Sequence, residues 1–157
     1  MINATHHEQL LPVPFESARV KDAMSPGVIS CPPETPLRVV ARMMATFNVH
    51  SVFVFEHQDE DDENPQLWEI VSDLDLVAAS RLDLGGRTAG QSAVTPIVSV
   101  LSASPIVEAA ELMAQHGVAH LAVVDPDSRR PVGVISTLDI ARAIAAGHGT
   151  HETQPSA

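Results

Sequence analysis

The chain repeats itself. Residues 28–56 align with residues 97–125 without a gap at an offset of 69, and Ser30/Ser99, Pro36/Pro105, Ala41/Ala110, Met44/Met113, Ala45/Ala114, Val49/Val118 and Val54/Val123 are identical pairs. Most of the remaining pairs exchange one apolar residue for another. The match resumes at an offset of 64, where Ile70-Val71-Ser72-Asp73-Leu74-Asp75-Leu76 faces Val134-Ile135-Ser136-Thr137-Leu138-Asp139-Ile140, so one loop of the first copy is longer by five residues. A period of this length constrains the architecture before any single residue is read. Two copies are too few for a solenoid, which leaves two half-domains packed on each other with pseudo-twofold symmetry.

With 157 residues, 45% of them apolar, the chain can build a compact core. No apolar run is long enough to span a membrane, and the first residues, with His6, His7 and Glu8, lack the basic and apolar regions of a secretory signal. The expectation is a cytoplasmic protein with no membrane partner. The formal net charge of −11, with nine Lys and Arg in all, excludes a nucleic-acid surface, which needs clustered cations. Much of the acidity lies in 56–65, the longer loop of the first copy. Its carboxylates lack the spacing and glycine of a calcium loop, so it reads as a solvated surface loop, His57 included. Cys31 is the single cysteine and sits in an apolar stretch opposite Val100, which marks it as a packed thiol.

Each copy opens with a short apolar strand, Val28-Ile29-Ser30-Cys31 or Ile97-Val98-Ser99-Val100. Thr35-Pro36 and Ser104-Pro105 supply a hydroxyl N-cap followed by proline at the first helical position. Leu37, Val40, Ala41 and Met44, matched by Ile106, Ala109, Ala110 and Met113, then form one apolar helix face. Asn48 and Gly117 suit a left-handed C-cap, and β-rich runs follow at 49–55 and 118–124. A second strand is expected at 67–71 and 131–135, with Trp68 covering the sheet edge. A new helix then begins at Ser72 or Ser136 and runs to about Ser80 or Gly147. The unit is β-α-β-β-α, twice, which gives an α/β (α+β) layer structure. The expected division is an N-terminal extension over 1–17, repeats over 18–84 and 85–147, and a flexible C-terminal tail over 148–157.

The chemistry concentrates in Ser-x-x-Asp at the strand-to-helix junction, present as Ser72/Asp75 and Ser136/Asp139. A helix N-terminus presents free N–H groups and the positive end of its dipole, which suits phosphate. An aspartate one turn in can accept both hydroxyls of a ribose, as an acidic residue does in dinucleotide-binding folds. The alternative is a purely structural pair, Ser as N-cap and Asp complementing the dipole.

The runs Gly133-Val134-Ile135-Ser136-Thr137-Leu138-Asp139-Ile140 and 117–125, together with Met24-Ser25-Pro26, resemble the tandem cystathionine β-synthase (CBS) domain pair over roughly residues 18–147. That resemblance implies two units packed through their sheets into a module that dimerises. It also implies regulatory binding of AMP, ADP, ATP or S-adenosylmethionine in two clefts between the repeats. Carried onto this chain, one cleft joins Ser136, Asp139, Ala119 and His120 to Ile29, Val49, His50 and Ser51. The other joins Ser72, Asp75 and His50 to Val98, Val118, Ala119 and His120. Glu69 stands where the family has glycine and Asp73 where the second copy has Thr137, so the Ser72/Asp75 cleft gains negative charge that opposes an anionic ligand. The Asp139 cleft is therefore the stronger site. Arg142, three residues beyond Asp139, is placed to pair with phosphate there, as are Arg129 or Arg130 in the preceding loop.

The sequence favours a regulatory module that takes an adenine nucleotide or S-adenosylmethionine as regulatory ligand, requires no cofactor, forms a homodimer and acts through a regulated partner protein. The terminal segments 1–17 and 148–157 are too short for an effector domain. The alternative is a structural dimerisation module with empty clefts. No nucleophile and base, P-loop or metal-ligand spacing supports catalysis or a metal site.

Overall fold

The computed structural model describes residues 14–55 and 69–147. The acidic loop with His57, Leu67 and Trp68, His6-His7 and the tail from His148 lie outside the described residues. The first repeat runs β2 (Ser30–Cys31), α2 (Leu37–Phe47), β3 (Ser51–Val54), β4 (Glu69–Ser72) and α3 (Asp73–Ala79). The second runs β5 (Ser99–Leu101), α5 (Ile106–His116), β6 (His120–Val124), β7 (Pro131–Ser136) and α6 (Thr137–Gly147). A 3-10 turn (Phe15–Ser17), α1 (Val20–Ala23) and β1 (Ser25–Pro26) precede the first repeat, and a second 3-10 turn (Leu84–Gly86) and α4 (Ala89–Ser92) lie between the repeats. The expected β-α-β-β-α unit is present twice. Among the described residues no helix is long and apolar enough to cross a membrane.

One sheet has the strand order β2-β3-β4 and the other β1-β7-β6-β5. In each, the first strand of the repeat pairs parallel with the second, across the intervening helix, and the last two form an antiparallel hairpin. The apolar faces read from the sequence are the ones buried: Leu37, Val40 and Met44 of α2, and Ile106, Ala109 and Met113 of α5. Asn48 (φ 53°) and Gly117 (φ 62°) hold the left-handed C-caps that end these helices. Cys31 is buried, and burial pushes its thiol pKa up, as befits a packing residue.

The helix starts differ from expectation. Pro36 and Pro105 are extended (ψ 141° and 142°) and occupy the N-cap position themselves, so Thr35 and Ser104 lie outside the helix and cap nothing. The reason lies in the backbone. Leu37 N donates to Arg87 O at 3.0 Å and Ile106 N to Ala18 O at 2.9 Å, while Ala89 N donates to Thr35 O and Val20 N to Ser104 O. Segments from elsewhere in the chain thus satisfy the helix starts that a hydroxyl was expected to cap.

Those segments are exchanged between the halves. Val20, fully buried, belongs to the core formed by Val100, Ile106, Ala109, Met113, Leu121, Val123, Ile135 and Ile140 of the second repeat. Ala89, its equivalent at the offset of 69 and also fully buried, completes the first core with Leu37, Val40, Met44, Val52 and Val71. The exchange extends into the sheet, because β1 pairs antiparallel with β7, Ser25 opposite Val134 and Pro26 opposite Gly133. A Cβ on Gly133 would run into the carbonyl oxygen of Ser25, with Met24 Sδ at 3.2 Å. The equivalent position on β4 has no such neighbouring strand, which is why Glu69 is tolerated there, exposed at the end of β4 opposite Val54. It stands three residues from Ser72, about 10 Å along a strand. Glu69 therefore does not place charge at the Ser72/Asp75 junction, contrary to expectation.

Gly133→Ala is expected to destabilise the fold by about 1–3 kcal/mol through overpacking against β1, whereas Glu69→Ala should stay within about 0.5 kcal/mol of the parent. Urea denaturation of the two variants checks this, and equal losses would contradict the reading of β1 as the reason for the glycine.

Candidate functional site

Each hairpin ends on a serine that starts a helix, and both Ser-x-x-Asp pairs form reciprocal caps. Ser72 N donates to Asp75 Oδ2 at 2.8 Å and Asp75 N to Ser72 Oγ at 3.2 Å. Ser136 N and Oγ donate to Asp139 Oδ2 at 2.8 and 3.0 Å, and Asp139 N donates to Ser136 Oγ at 3.2 Å. The structural role considered for these pairs is therefore real in both copies. Function is decided by what else each carboxylate meets.

Asp75 meets Thr95. The Thr95 hydroxyl lies 2.8 Å from both carboxylate oxygens and 3.0 Å from Ser72 Oγ. Since its one proton goes to Asp75, the Ser72 hydroxyl donates to it in turn, giving a closed chain Ser72 to Thr95 to Asp75. At the offset of 69 Thr95 matches Pro26, which carries no hydroxyl and lies opposite Gly133 on β7, away from Asp139 along the strand. Among the described residues nothing replaces Thr95 at Asp139, whose Oδ1 has only Arg142 Nη1 near it, at 3.8 Å. Two carboxylates that look alike in the sequence thus differ in availability.

A cavity of about 380 Å³ opens onto Asp139 and lies between the repeats, a size typical of small-molecule sites. Ser136, Asp139, His120, Ile29, Val49, His50 and Ser51 all line it. Ala119 and Arg142 do not. The Ala119 carbonyl is turned into the fold, accepting Thr137 N at 2.9 Å, and Arg142 is exposed beside Asp139. For the second set, Ser72 and Asp75 are buried in the Thr95 network, whereas Val98 and Val118 pack against the second core. Arg129 and Arg130 stand in the β6–β7 turn, at the opposite end of the hairpin from Ser136 and roughly 16 Å away along the strand. They do not reach the cavity.

Two groups of wall residues were not read from the sequence. Phe47, Asn48 and Phe53 come from the end of α2 and from β3. The other group, Ser25 through Val28, is there because β1 is carried across to β7. Gly27 (φ 84°) makes the turn out of β1, its N–H donating to Val132 O at 2.8 Å. The Met24-Ser25-Pro26 motif was the available signal, but only the strand exchange gives it a position.

His50 and His120 both line the cavity, their rings in contact with centroids 5.1 Å apart. They are not repeat equivalents: at the offset of 69, His50 matches Ala119 and His120 matches Ser51. His120 sits opposite Ser136 in the β6–β7 pair. His50 Nδ1 lies 2.8 Å from Asp73 Oδ2. Asp73, expected to load the Ser72/Asp75 cleft, instead pairs with His50, a residue of the Asp139 cavity wall. Burial, followed by the nearby His50, lowers the pKa of His120 below its ordinary 6.5; Asp73 and Asp139 partly counter this. Among the described residues no group of three or more His, Cys, Asp or Glu stands close enough to hold a metal.

The sign of the resulting pH dependence follows from proton uptake. Below pH 6.5 the unfolded chain protonates His120 more readily than the folded one does, so stability is full above that value and falls as the pH drops toward the folded pKa. The melting temperature should fall between pH 7 and 5.5, and less so in His120→Asn. Identical slopes in parent and variant would remove His120 as the cause.

A CBS domain model matches residues 20–82 and 92–146. A comparison with curated protein sequences finds no match. Among solved structures, a CBS domain protein from Pyrobaculum aerophilum complexed with AMP is 29% identical with a TM-score of 0.64, covering 82% of this chain and 98% of that one. Hypoxic Response Protein I, solved with two coordinated zinc ions, is 26% identical with a TM-score of 0.60, covering 80% and 98%. The CBS domain pair of protein MJ0100, in complex with 5′-methylthioadenosine and S-adenosyl-L-methionine, shares the fold at 22% identity and a TM-score of 0.68, covering 82% and 96%. With two matched repeats, an exchanged β1 and a cleft at the strand-to-helix junction, the chain belongs to the CBS domain family as a tandem pair.

Proposed function

We propose that this protein is a regulatory module that binds one adenosine-type ligand in the Asp139 cavity and transmits its occupancy to a protein partner. The observation that carries this reading is a buried carboxylate, bonded on one oxygen and open on the other, at the wall of an otherwise largely apolar cleft between the repeats. Asp139 Oδ1 is free to accept ribose hydroxyls, and Ile29, Val49, Phe53 and Val134 offer apolar contact to a planar base. The relatives crystallised with AMP, or with methylthioadenosine and S-adenosylmethionine, support the adenosine class. Ala119 and Arg142 contribute at the margin, Arg142 through its approach to Asp139. The module is non-catalytic, cytoplasmic and needs no cofactor. Leu74 and Leu138, equivalent positions 73% and 55% exposed on the last helix of each repeat, support self-association into a homodimer.

The Ser72/Asp75 junction is the weaker site in this reading, for a reason different from the charge of Glu69. A ribose must displace the Thr95 hydroxyl from Asp75, and hydrogen bonds to a charged group contribute about 1.5–3 kcal/mol, roughly ten- to a hundredfold in affinity.

Ligand-dependent unfolding separates this module from a structural one with empty clefts. A ligand at about 100 times its dissociation constant adds roughly 2.7 kcal/mol to a protein that binds it only when folded. Thermal unfolding with AMP, adenosine and S-adenosylmethionine should show such a shift in the parent, its loss in Asp139→Ala and its retention in Asp75→Ala. No shift with any of the three would favour the structural module. Equal losses in the two variants would refute the asymmetry.

A further inference from the structure

All nine Lys and Arg of the chain fall among the described residues. None of them lines the cavity. Arg142 comes nearest, and its guanidinium is directed at Asp139, 3.8 Å away, on a side chain 71% exposed. Residues 1–13, 56–68 and 148–157 contain no Lys or Arg. The wall itself holds Asp139, and Asp73 pairs with Nδ1 of the wall residue His50.

The backbone offers an anion little more. Three N–H groups at the start of α6 lack intrahelical partners, and two of them are engaged: Thr137 N with Ala119 O and Asp139 N with Ser136 Oγ. Among the described residues only Leu138 N is left. At the start of α3 all three are engaged, Asp73 N with His50 O, Leu74 N with Asp73 Oδ1 and Asp75 N with Ser72 Oγ. The free N–H groups expected at these junctions are therefore reduced to one. Among the described residues His50 and His120 are the basic side chains in the wall, 5.1 Å apart, and burial, followed by the nearby His50, lowers the pKa of His120.

From this balance we infer that the cleft selects its adenosine ligand by charge, accepting a 5′ substituent that is uncharged, cationic or at most a single phosphate, and rejecting di- and triphosphates. The inference rests on the reading of the Asp139 cavity as the adenosine site. The spare Leu138 N–H and the neutral donors of the wall, the hydroxyls of Ser25, Ser51 and Ser136 and the two imidazoles, can meet one phosphate. A second and a third would lie among carboxylates with no Lys or Arg to neutralise them, in a partly desolvated site where like charges repel strongly.

Isothermal titration of the full chain with adenosine, S-adenosylmethionine, AMP and ATP at pH 8, without divalent cations, tests it. Expected is ATP binding at least tenfold weaker than adenosine or S-adenosylmethionine, with the gap narrowing in Asp73→Asn. ATP binding as tightly as adenosine overturns the charge selection while leaving the adenosine site standing. Binding of none of the four overturns the site reading and the selection together.

Discussion

Each half of this protein is closed by a segment that arrives from outside its own repeat. Val20 fills the second core and Ala89 the first, and backbone hydrogen bonds from these segments satisfy the starts of α5 and α2. Neither hydrophobic core is complete without its incoming segment, so the two repeats are tied together by core packing as well as by chain connectivity. The same exchange lays β1 along β7, requires glycine at 133 and brings Ser25 through Val28 to the Asp139 cavity.

The two junctions differ in one hydroxyl. Thr95 delivers it to Asp75 and completes a buried polar network, whereas among the described residues Asp139 Oδ1 has no hydroxyl bonded to it. The Thr95 side chain thus distinguishes a junction satisfied from within the chain from one that can accept a ligand. Buried polar groups need partners, and where the protein does not supply them a ligand can.

The sequence carried the fold clearly because duplication doubled every weak signal. The helix faces of α2 and α5, the left-handed caps at Asn48 and Gly117 and the hairpins all appeared at matched positions. What escaped was non-local. Pro36 and Pro105 shifted from first helical residue to N-cap because distant carbonyls, those of Arg87 and Ala18, accept the helix N–H groups, and no local pattern announces that. The Ser-x-x-Asp pairs were visible, but Thr95, which decides between them, is 20 residues from Asp75 in the chain. Charge was harder still. The sequence puts Glu69 and Asp73 at the Ser72/Asp75 junction, yet the register of β4 carries Glu69 away from it and Asp73 pairs with His50.

The most direct measurement is a crystal structure of the protein grown with adenosine. The expected result is one ligand per chain, its ribose hydroxyls on Asp139 Oδ1 and its base against Ile29 and Val49, with Thr95 still bonded to Asp75. A ligand on Asp75 with Thr95 displaced, or equal occupancy of both junctions, would contradict the central claim that the Thr95 hydroxyl sets which cleft is open.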